Sequence, residues 1–460
     1  MRFVAHYHDY VRAVRDPRDR EILRLAVPAF LALVSEPLFL LSDAAIIGHL
    51  GTAPLAGLGI AAAILQTVVG LCVFLAYGTT GSVARRRGAG DLRGAIAQGV
   101  DGLWLAVGIG AVVTVAGVLL TEPLVRLFGA SAEVTDPAAT YLRIAFLGVV
   151  PLLLILAATG VLRGLQDTRT PLVVAVAGNV LNIVLNLLLV YPAGLGIAGS
   201  ALGSVLAQVA MAAAFVAVVV RAARRHGASL RPDLPGIRAA GRAGVPLVVR
   251  TLTLRAALLV TTYAVTLAAV GARDQEVDLA THQLALTLWG FLAFVLDAIA
   301  IAAQAITGRA LGAGDVAGTR SLTRRMIQWG AVSGVVTGVL LAAVSPVLGH
   351  LFTGDAAVQD LLVPVLVVIA LGQPIAGVVF VLDGVLIGAG DGPYLAQAGV
   401  VTLVVYAPVA LACAALDTGL VTIWVAFSAV FMGARLVVLL HRARRDAWMV
   451  TGVAAVGSGR

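Results

Sequence analysis

The sequence contains no lysine: all 32 basic residues among its 460 are arginines. The phosphate-binding loop of ATP-driven pumps requires a lysine, so this chain does not itself hydrolyse ATP through such a loop. The two cysteines, Cys72 and Cys413, both lie in apolar runs, which argues against a disulfide framework or a zinc site. Charge is also scarce, at 12% of residues, whereas a soluble domain has about 25%. The whole sequence is 60% hydrophobic and has a mean hydropathy of +1.00, which indicates a polytopic membrane protein.

Hydropathy predicts an all-α integral membrane fold with twelve spans, each long enough to cross about 30 Å of hydrocarbon. The 51 glycines suit close helix packing in lipid. The predicted limits are 24–48, 55–84, 95–120, 137–162, 171–191, 195–221, 244–270, 279–307, 321–345, 358–388, 393–416 and 419–441.

Arginines mark the loops that follow the even-numbered spans, whereas the opposite loops carry mostly acids. The positive-inside rule then places both termini in the cytoplasm. The charged N-terminal segment, residues 1–23, lacks the apolar region of a cleavable signal, so we expect it to be retained. The net charge of +8 is explained by this bias, and no nucleic-acid partner is expected. The predicted location is the cell (inner or plasma) membrane.

The two halves of the chain form an internal repeat. A shift of 224 residues places RRRGAGD (85–91) on RALGAGD (309–315), with five of seven positions identical. The predicted domains are an N-lobe (1–221), a cytoplasmic linker (222–243) and a C-lobe (244–460). Six spans per lobe predict a pseudo-twofold axis along the membrane normal, with the substrate route between the lobes. We interpret each Gly-Ala-Gly-Asp as a helix stop followed by an N-cap, not as a phosphate loop.

The first span, 24–48, carries two acids, Glu36 and Asp43. Seven residues are nearly two helical turns, so both carboxyls lie on one face, about 10 Å apart along the axis. Acids within a membrane are costly and are therefore functional candidates. Pro28 and Pro37 each remove a backbone hydrogen bond and can kink this helix.

Asn179, Asn182 and Asn186 form one polar stripe on the otherwise apolar fifth span. Asn186 and Asp43 lie at similar depth, each about 7 Å from the outer end of its span. Two interpretations stay open: a proton or cation site, which we favour, and amides that only hold helices together. Arg143 in the fourth span argues against the interpretation as a proton or cation site, because an ion pair between Arg143 and Asp43 would stabilise the ionised carboxylate. Arg143 could instead reach the outer-loop acids Glu133 or Asp136.

Charged residues of the C-lobe match by depth, Arg255 with Asp297 and Arg250 with Asp383. Such matching predicts structural ion pairs, with contact to substrate or ion as the alternative. Gln283, near the outer start of the eighth span, is assigned to packing or to the rim, with the same alternative.

The sequence resembles the multidrug and toxic compound extrusion (MATE) family, in its DinF-like branch. The segments that carry the resemblance are EPLFLLSDAAIIGHLGT (36–52), YGTTGSVARRRGAGD (77–91), RGLQDTRTPL (163–172), AAQAITGRALGAGD (302–315) and LDGVLIGAGD (382–391). The resemblance implies two six-helix lobes in a V, alternating access, and export of organic, often cationic, compounds driven by H⁺ or Na⁺. It matches Asp43 to the family's first-helix aspartate and Asn182 and Asn186 to its fifth-helix polar pair. Some members have Asp at the second position of that pair, and the Asn here favours H⁺.

Taken together, these observations predict a monomeric antiporter that exports amphipathic or cationic organic compounds, with H⁺ as the coupling ion and Na⁺ as the second choice. Protonation of Asp43 would drive the conformational change, with Glu36 as relay or substrate contact. No cofactor or metal is expected, and membrane lipids are the other partner. The alternative is a flippase for lipid-linked or polyprenyl substrates. An intramembrane enzyme is disfavoured because the sequence has no HExxH or GxSxG motif.

Overall fold

A computed structural model describes residues 17–268 and 272–453. Every regular element in these two stretches is helical. The first eight helices are α1 (Pro17–Gly48), α2 (Thr52–Cys72), α3 (Phe74–Gly88), α4 (Leu92–Arg126), α5 (Ala132–Leu147), α6 (Val149–Gly164), α7 (Arg169–Val190) and α8 (Gly196–His226). The others are α9 (Leu234–Ala268), α10 (Ala272–Gly312), α11 (Val316–Phe352), α12 (Ala356–Gly388), α13 (Gly392–Ala415), α14 (Gly419–Ala426) and α15 (Met432–Ala443). A π-helical turn, Phe427–Phe431, joins α14 to α15.

Within the described residues, eleven helical segments are long and apolar enough to cross a membrane, and a bent pair makes a twelfth. The predicted all-helical membrane architecture is thereby confirmed. The bent pair is α5 and α6, which meet at 50° around Gly148 in the predicted span 137–162. Pro151 follows the break and lacks a backbone N–H, while Thr114 Oγ1 donates to the Phe146 carbonyl 3.0 Å away. A side-chain donor thus satisfies a carbonyl that the irregular backbone exposes.

The described chain divides into two compact units. The first unit is Val27–Val245, and the second comprises the described residues up to Ala26 together with those from Pro246 onward. Residues 17–26 at the start of α1 therefore group with the second unit. Helix also extends into both ends of the predicted linker, and only 227–233 lacks it. Residues 1–16 of the predicted N-terminal segment lie outside the described residues.

The start of α1 is fixed to the second unit by a buried acid. Arg325 donates two hydrogen bonds to the Asp19 carboxylate, at 2.7 and 2.6 Å, and Trp329 Nε1 donates a third at 2.7 Å. Glu21 pairs with Arg309 at 2.7 Å. Bidentate pairing of this kind holds a helix end in one orientation.

The two Gly-Ala-Gly-Asp turns have the predicted cap geometry. Gly90 and Gly314 adopt φ values of 80° and 77°, which favour glycine. Asp91 then caps α4 and Asp315 caps α11, each accepting a backbone N–H three residues on at 2.7 Å. The interpretation as a helix stop and N-cap is confirmed.

Candidate functional site

Asp43 is buried within the first unit, with 2% of its surface exposed. It lies five residues before the end of α1. Asn186 Nδ2 lies 2.9 Å from Oδ1, Tyr141 Oη lies 3.1 Å from Oδ2, and Ser200 Oγ also contacts Oδ1. Helices α1, α5, α7 and α8 therefore converge on one carboxyl group.

The amide stripe of α7 extends this cluster. Asn186 Nδ2 also donates to Asn182 Oδ1 at 3.0 Å, and Asn182 Nδ2 donates to Ser204 Oγ at 3.0 Å. Asn179 does not reach the carboxyl, because its amide donates instead to the Ser35 backbone carbonyl at 3.1 Å. Two of the three predicted asparagines thus belong to the network around the acid, and the third holds α7 to α1.

Two glycines of α8 allow the network to form. Gly199 faces the backbone of α7, and a Cβ placed at Gly203 would lie closer than 3.0 Å to Asn186 Oδ1. The missing side chains let α7 and α8 approach closely, as small residues do between membrane helices. That approach brings Asn186 and Ser200 to the same carboxyl.

Arg143 does not pair with Asp43. Its guanidinium contacts Glu122 Oε1 at 3.1 Å, and both side chains are more than half exposed. The alternative left open by the sequence, a pair with Glu133 or Asp136, does not form either, because Arg143 pairs with Glu122 in the last turns of α4. In the part of the chain that the structure describes, the hydrogen-bond partners of Asp43 are therefore all neutral side chains.

Glu36 is exposed, and within the described stretches no side chain forms a hydrogen bond or ion pair with it. Pro28 and Pro37 both lie inside α1, which continues through them. Each proline nitrogen carries no hydrogen, so α1 lacks the backbone hydrogen bond that another residue would donate at that position.

In the second unit, the structure pairs Arg250 with Asp383 at 2.7 Å. A second arginine, Arg435, shares the same carboxylate, at 2.9 and 2.8 Å from its two oxygens. The pair predicted by depth between Arg255 and Asp297 does not form, and Arg255 is exposed. Helical depth fixes the height of a side chain but not the direction in which it points.

Gln283 is exposed, and its backbone carbonyl accepts a bond from Thr287 Oγ1 at 2.9 Å. The neighbouring His282 is buried and lies 2.9 Å from Thr262 Oγ1.

Sequence reasoning missed Tyr141, Ser200, Ser204 and Arg435. The serines had a weak signal, since Gly199-Ser200 and Gly203-Ser204 repeat four residues apart and so share one helix face. Arg435 had a clearer sequence signal, because it is an arginine inside the last predicted span.

These features define a multi-pass helical membrane protein that buries a carboxyl group among polar side chains of one unit. The MatE family profile matches residues 28–188 and 252–412. The chain belongs to this family, and it is therefore a transporter and not an enzyme. The two matched segments correspond to the halves of the predicted repeat.

Several relatives match over most of their length. Protein DETOXIFICATION 44, chloroplastic, from Arabidopsis thaliana is 31% identical over 91% of this chain and 80% of the relative. DNA damage-inducible protein F from Escherichia coli is 29% identical over 81% of each chain.

Solved structures show the same fold. A MOP superfamily transporter from Pyrococcus furiosus matches with a TM-score of 0.85 at 23% identity, over 95% of this chain and 98% of the other. The outward-facing structure of a multidrug resistance MATE family transporter matches equally well, with a TM-score of 0.85 at 23% identity over 96% and 99%. The predicted MATE-type fold is confirmed.

Proposed function

We propose that this transporter is an H⁺-coupled antiporter that exports amphipathic or cationic organic compounds, and that Asp43 carries the proton. The observation that supports this most directly is the setting of Asp43, which is buried and, among the described residues, hydrogen-bonded only by neutral side chains. An arginine partner would hold the carboxylate ionised at all times, and a neutral polar shell leaves both protonation states accessible.

The hydroxyl groups around Asp43 suit a change of protonation. When Asp43 is ionised, Ser200, Tyr141 and Asn186 can all donate to it. When Asp43 is protonated, its own O–H needs an acceptor, and the Ser200 hydroxyl oxygen can serve once its hydrogen rotates away. Tyr141 and Asn186 can keep donating to the protonated carboxyl, so two of its three hydrogen bonds survive the change.

The orientation of Asn186 favours H⁺ over Na⁺ as the coupling ion. The amide presents its N–H₂ to Asp43, and its carbonyl oxygen Oδ1 accepts no hydrogen bond from any described residue. A sodium ion bound to Asp43 requires further oxygen ligands, and the side of the Asn186 amide that faces Asp43 offers an N–H₂ group instead. Asp43 is also the one carboxyl of this cluster.

Other parts of the proposal rest on the sequence. Glu36, exposed on the same helix, would act as relay or as contact for a cationic substrate. Arginine placement supports a plasma-membrane protein with both termini in the cytoplasm. The relatives include proteins named for multidrug resistance, such as the probable multidrug resistance protein NorM of Thermotoga maritima, which supports organic compounds as substrates.

The test is export of a fluorescent organic cation from proteoliposomes under an imposed pH gradient, and then under a Na⁺ gradient. Asp43→Asn should abolish export driven by the pH gradient while keeping the thermal unfolding midpoint of a folded protein. Glu122→Gln is the matched control, because it makes the same change at an exposed acid of the same unit, and it should export normally. Wild-type export by Asp43→Asn, or export that needs Na⁺ alone, would contradict the proposal.

A further inference from the structure

The segment between α8 and α9 is held against α4 of the same unit. Trp104 Nε1 on α4 donates to the Leu230 carbonyl at 3.1 Å. At Gly236, in the first turn of α9, an added Cβ would lie closer than 3.0 Å to Oδ2 of the buried Asp101. The segment is therefore packed on the first unit, and its backbone follows a fixed path.

This segment and the helix ends beside it carry an unbalanced positive charge. Six exposed arginines form what we call the arginine patch: Arg221, Arg224, Arg225, Arg231, Arg238 and Arg242. Asp233 is the only acid between Asp167 and Asp274 in the sequence. Within the described residues, none of the six arginines forms an ion pair or a side-chain hydrogen bond. The protein itself therefore supplies almost no counter-charge to the patch.

Arginines at helix ends of the second unit are arranged differently. Arg320 pairs with Asp446 and Arg442 pairs with Asp391, each at 2.7 Å. The chain thus provides acids for arginines at such positions elsewhere. The shortage of acids is a property of the patch, and it leaves the patch open to an anion from outside the chain.

Apolar side chains adjoin the patch. Trp104 is 42% exposed, Leu230 37% and Leu234 64%. Leu234 lies four residues before Arg238 on α9, so the two share one helix face. Exposed tryptophan and leucine beside arginine are typical of a membrane surface. A soluble anion would use only the arginines, whereas a phospholipid offers a charged headgroup and apolar chains together.

The position of the patch along the helices agrees with a membrane surface. Both α8 and α9, which flank the segment, are long and apolar enough to cross a membrane. Helix α4 has 35 residues, whereas roughly 20 cross the hydrocarbon. Trp104 is within the first half of α4, so it can lie near the headgroups together with Leu230.

We propose that the arginine patch binds the headgroups of anionic phospholipids, with their acyl chains beside Trp104, Leu230 and Leu234. A guanidinium group donates two parallel hydrogen bonds to a phosphate. Each basic residue near an anionic membrane surface contributes about fivefold in affinity. The transporter therefore prefers anionic to zwitterionic lipid at this part of its first unit.

The first test measures thermal unfolding of the purified full-length protein in mixed micelles. Dioleoylphosphatidylglycerol and dioleoylphosphatidylcholine are compared, because they differ only in the headgroup. The anionic lipid should raise the unfolding midpoint by several degrees more, with saturation, and the difference should shrink as salt is added.

Two double variants make this test specific. Arg224→Gln with Arg225→Gln should weaken the apparent affinity for phosphatidylglycerol at least about tenfold. Arg126→Gln with Arg143→Gln is the matched control, because it removes as many exposed arginines from the same unit, and these already pair with Glu122. The control should keep the preference. Arg224→Lys with Arg225→Lys preserves the charge and should keep most of it.

A second measurement locates the lipid without changing the patch. In phosphatidylcholine liposomes, a brominated phospholipid quenches nearby tryptophan fluorescence, and the part of the quenching that Trp104→Phe removes belongs to Trp104. Brominated phosphatidylglycerol should quench that part more strongly than brominated phosphatidylcholine at the same mole fraction.

Several outcomes would overturn the proposal. These are equal stabilisation by the two lipids, equal quenching of Trp104 by their brominated forms, and a preference retained when Arg224 and Arg225 are both glutamine. Equal stabilisation by soluble glycerol phosphate at matched ionic strength would assign the patch to free phosphate instead. Asp43→Asn should keep the lipid preference, so this proposal and the proton-coupling proposal can fail separately.

Discussion

Gly203 sets the position of Asn186 and, through it, the hydrogen bonds of Asp43. In Gly203→Ala, the new methyl carbon would lie closer than 3.0 Å to Asn186 Oδ1 and 3.1 Å from the Asn186 backbone nitrogen. Ordinary contacts of this kind begin at 3.4 Å, so the carboxamide must retreat by about 1 Å. A shift of that size stretches the 2.9 Å bond from Asn186 Nδ2 to Asp43 beyond hydrogen-bonding distance.

The expected cost follows from that lost bond. A hydrogen bond to an ionised group contributes about 1.5–3 kcal/mol, and alanine returns up to about 1 kcal/mol as the better helix former. Gly203→Ala should therefore destabilise the protein by about 0.5–2.5 kcal/mol and slow export driven by a pH gradient. Gly108→Ala is the control, since a Cβ there meets open space, and it should be neutral or slightly stabilising.

A double-mutant cycle makes this reasoning specific. In an Asn186→Ala background the clash is gone, so adding Gly203→Ala should cost little, and the two changes should not be additive. Thermal unfolding in detergent gives the stabilities, and proteoliposome export gives the activity. Strict additivity, or a Gly203→Ala protein with wild-type stability and export, would show that the close approach of α7 and α8 does not position Asn186.

Two further predictions concern neighbours of the cluster. Arg143→Gln should change the free energy of unfolding by less than about 1 kcal/mol, because the ion pair between Arg143 and Glu122 is exposed. Export driven by a pH gradient should stay normal. A loss of that export would indicate that Arg143 acts on Asp43 after all. Tyr141→Phe removes one hydrogen bond to the ionised Asp43, which contributes about 1.5–3 kcal/mol. The variant should therefore slow export driven by a pH gradient by about tenfold or more in the proteoliposome assay. An unchanged export rate would exclude Tyr141 from the coupling cluster.

Sequence reasoning was most effective where one helix decides the outcome. Apolar length predicted the spans, and spacing along α7 placed Asn182 and Asn186 on one face. It could not assemble partners from distant helices, because Tyr141 and Ser200 lie 98 and 157 residues from Asp43 in the chain. Depth matching paired Arg250 with Asp383 and failed for Arg255, since residues at one height can face different directions around a helix.

The bend at Gly148 shows a similar limit. Span 137–162 is continuous in hydropathy, yet the chain turns by 50° within it. Composition over a window averages out a single glycine followed by a proline, so a break inside an apolar run is hard to detect.

The two Gly-Ala-Gly-Asp turns have a consequence for biosynthesis. Each is closed by hydrogen bonds that span only a few residues, from the glycine in the left-handed conformation to the aspartate that accepts a backbone N–H three positions later. Such short loops close fast because they require little ordering of the chain. Either turn can therefore form as soon as its own residues emerge from the ribosome, without contacts to helices of the other half.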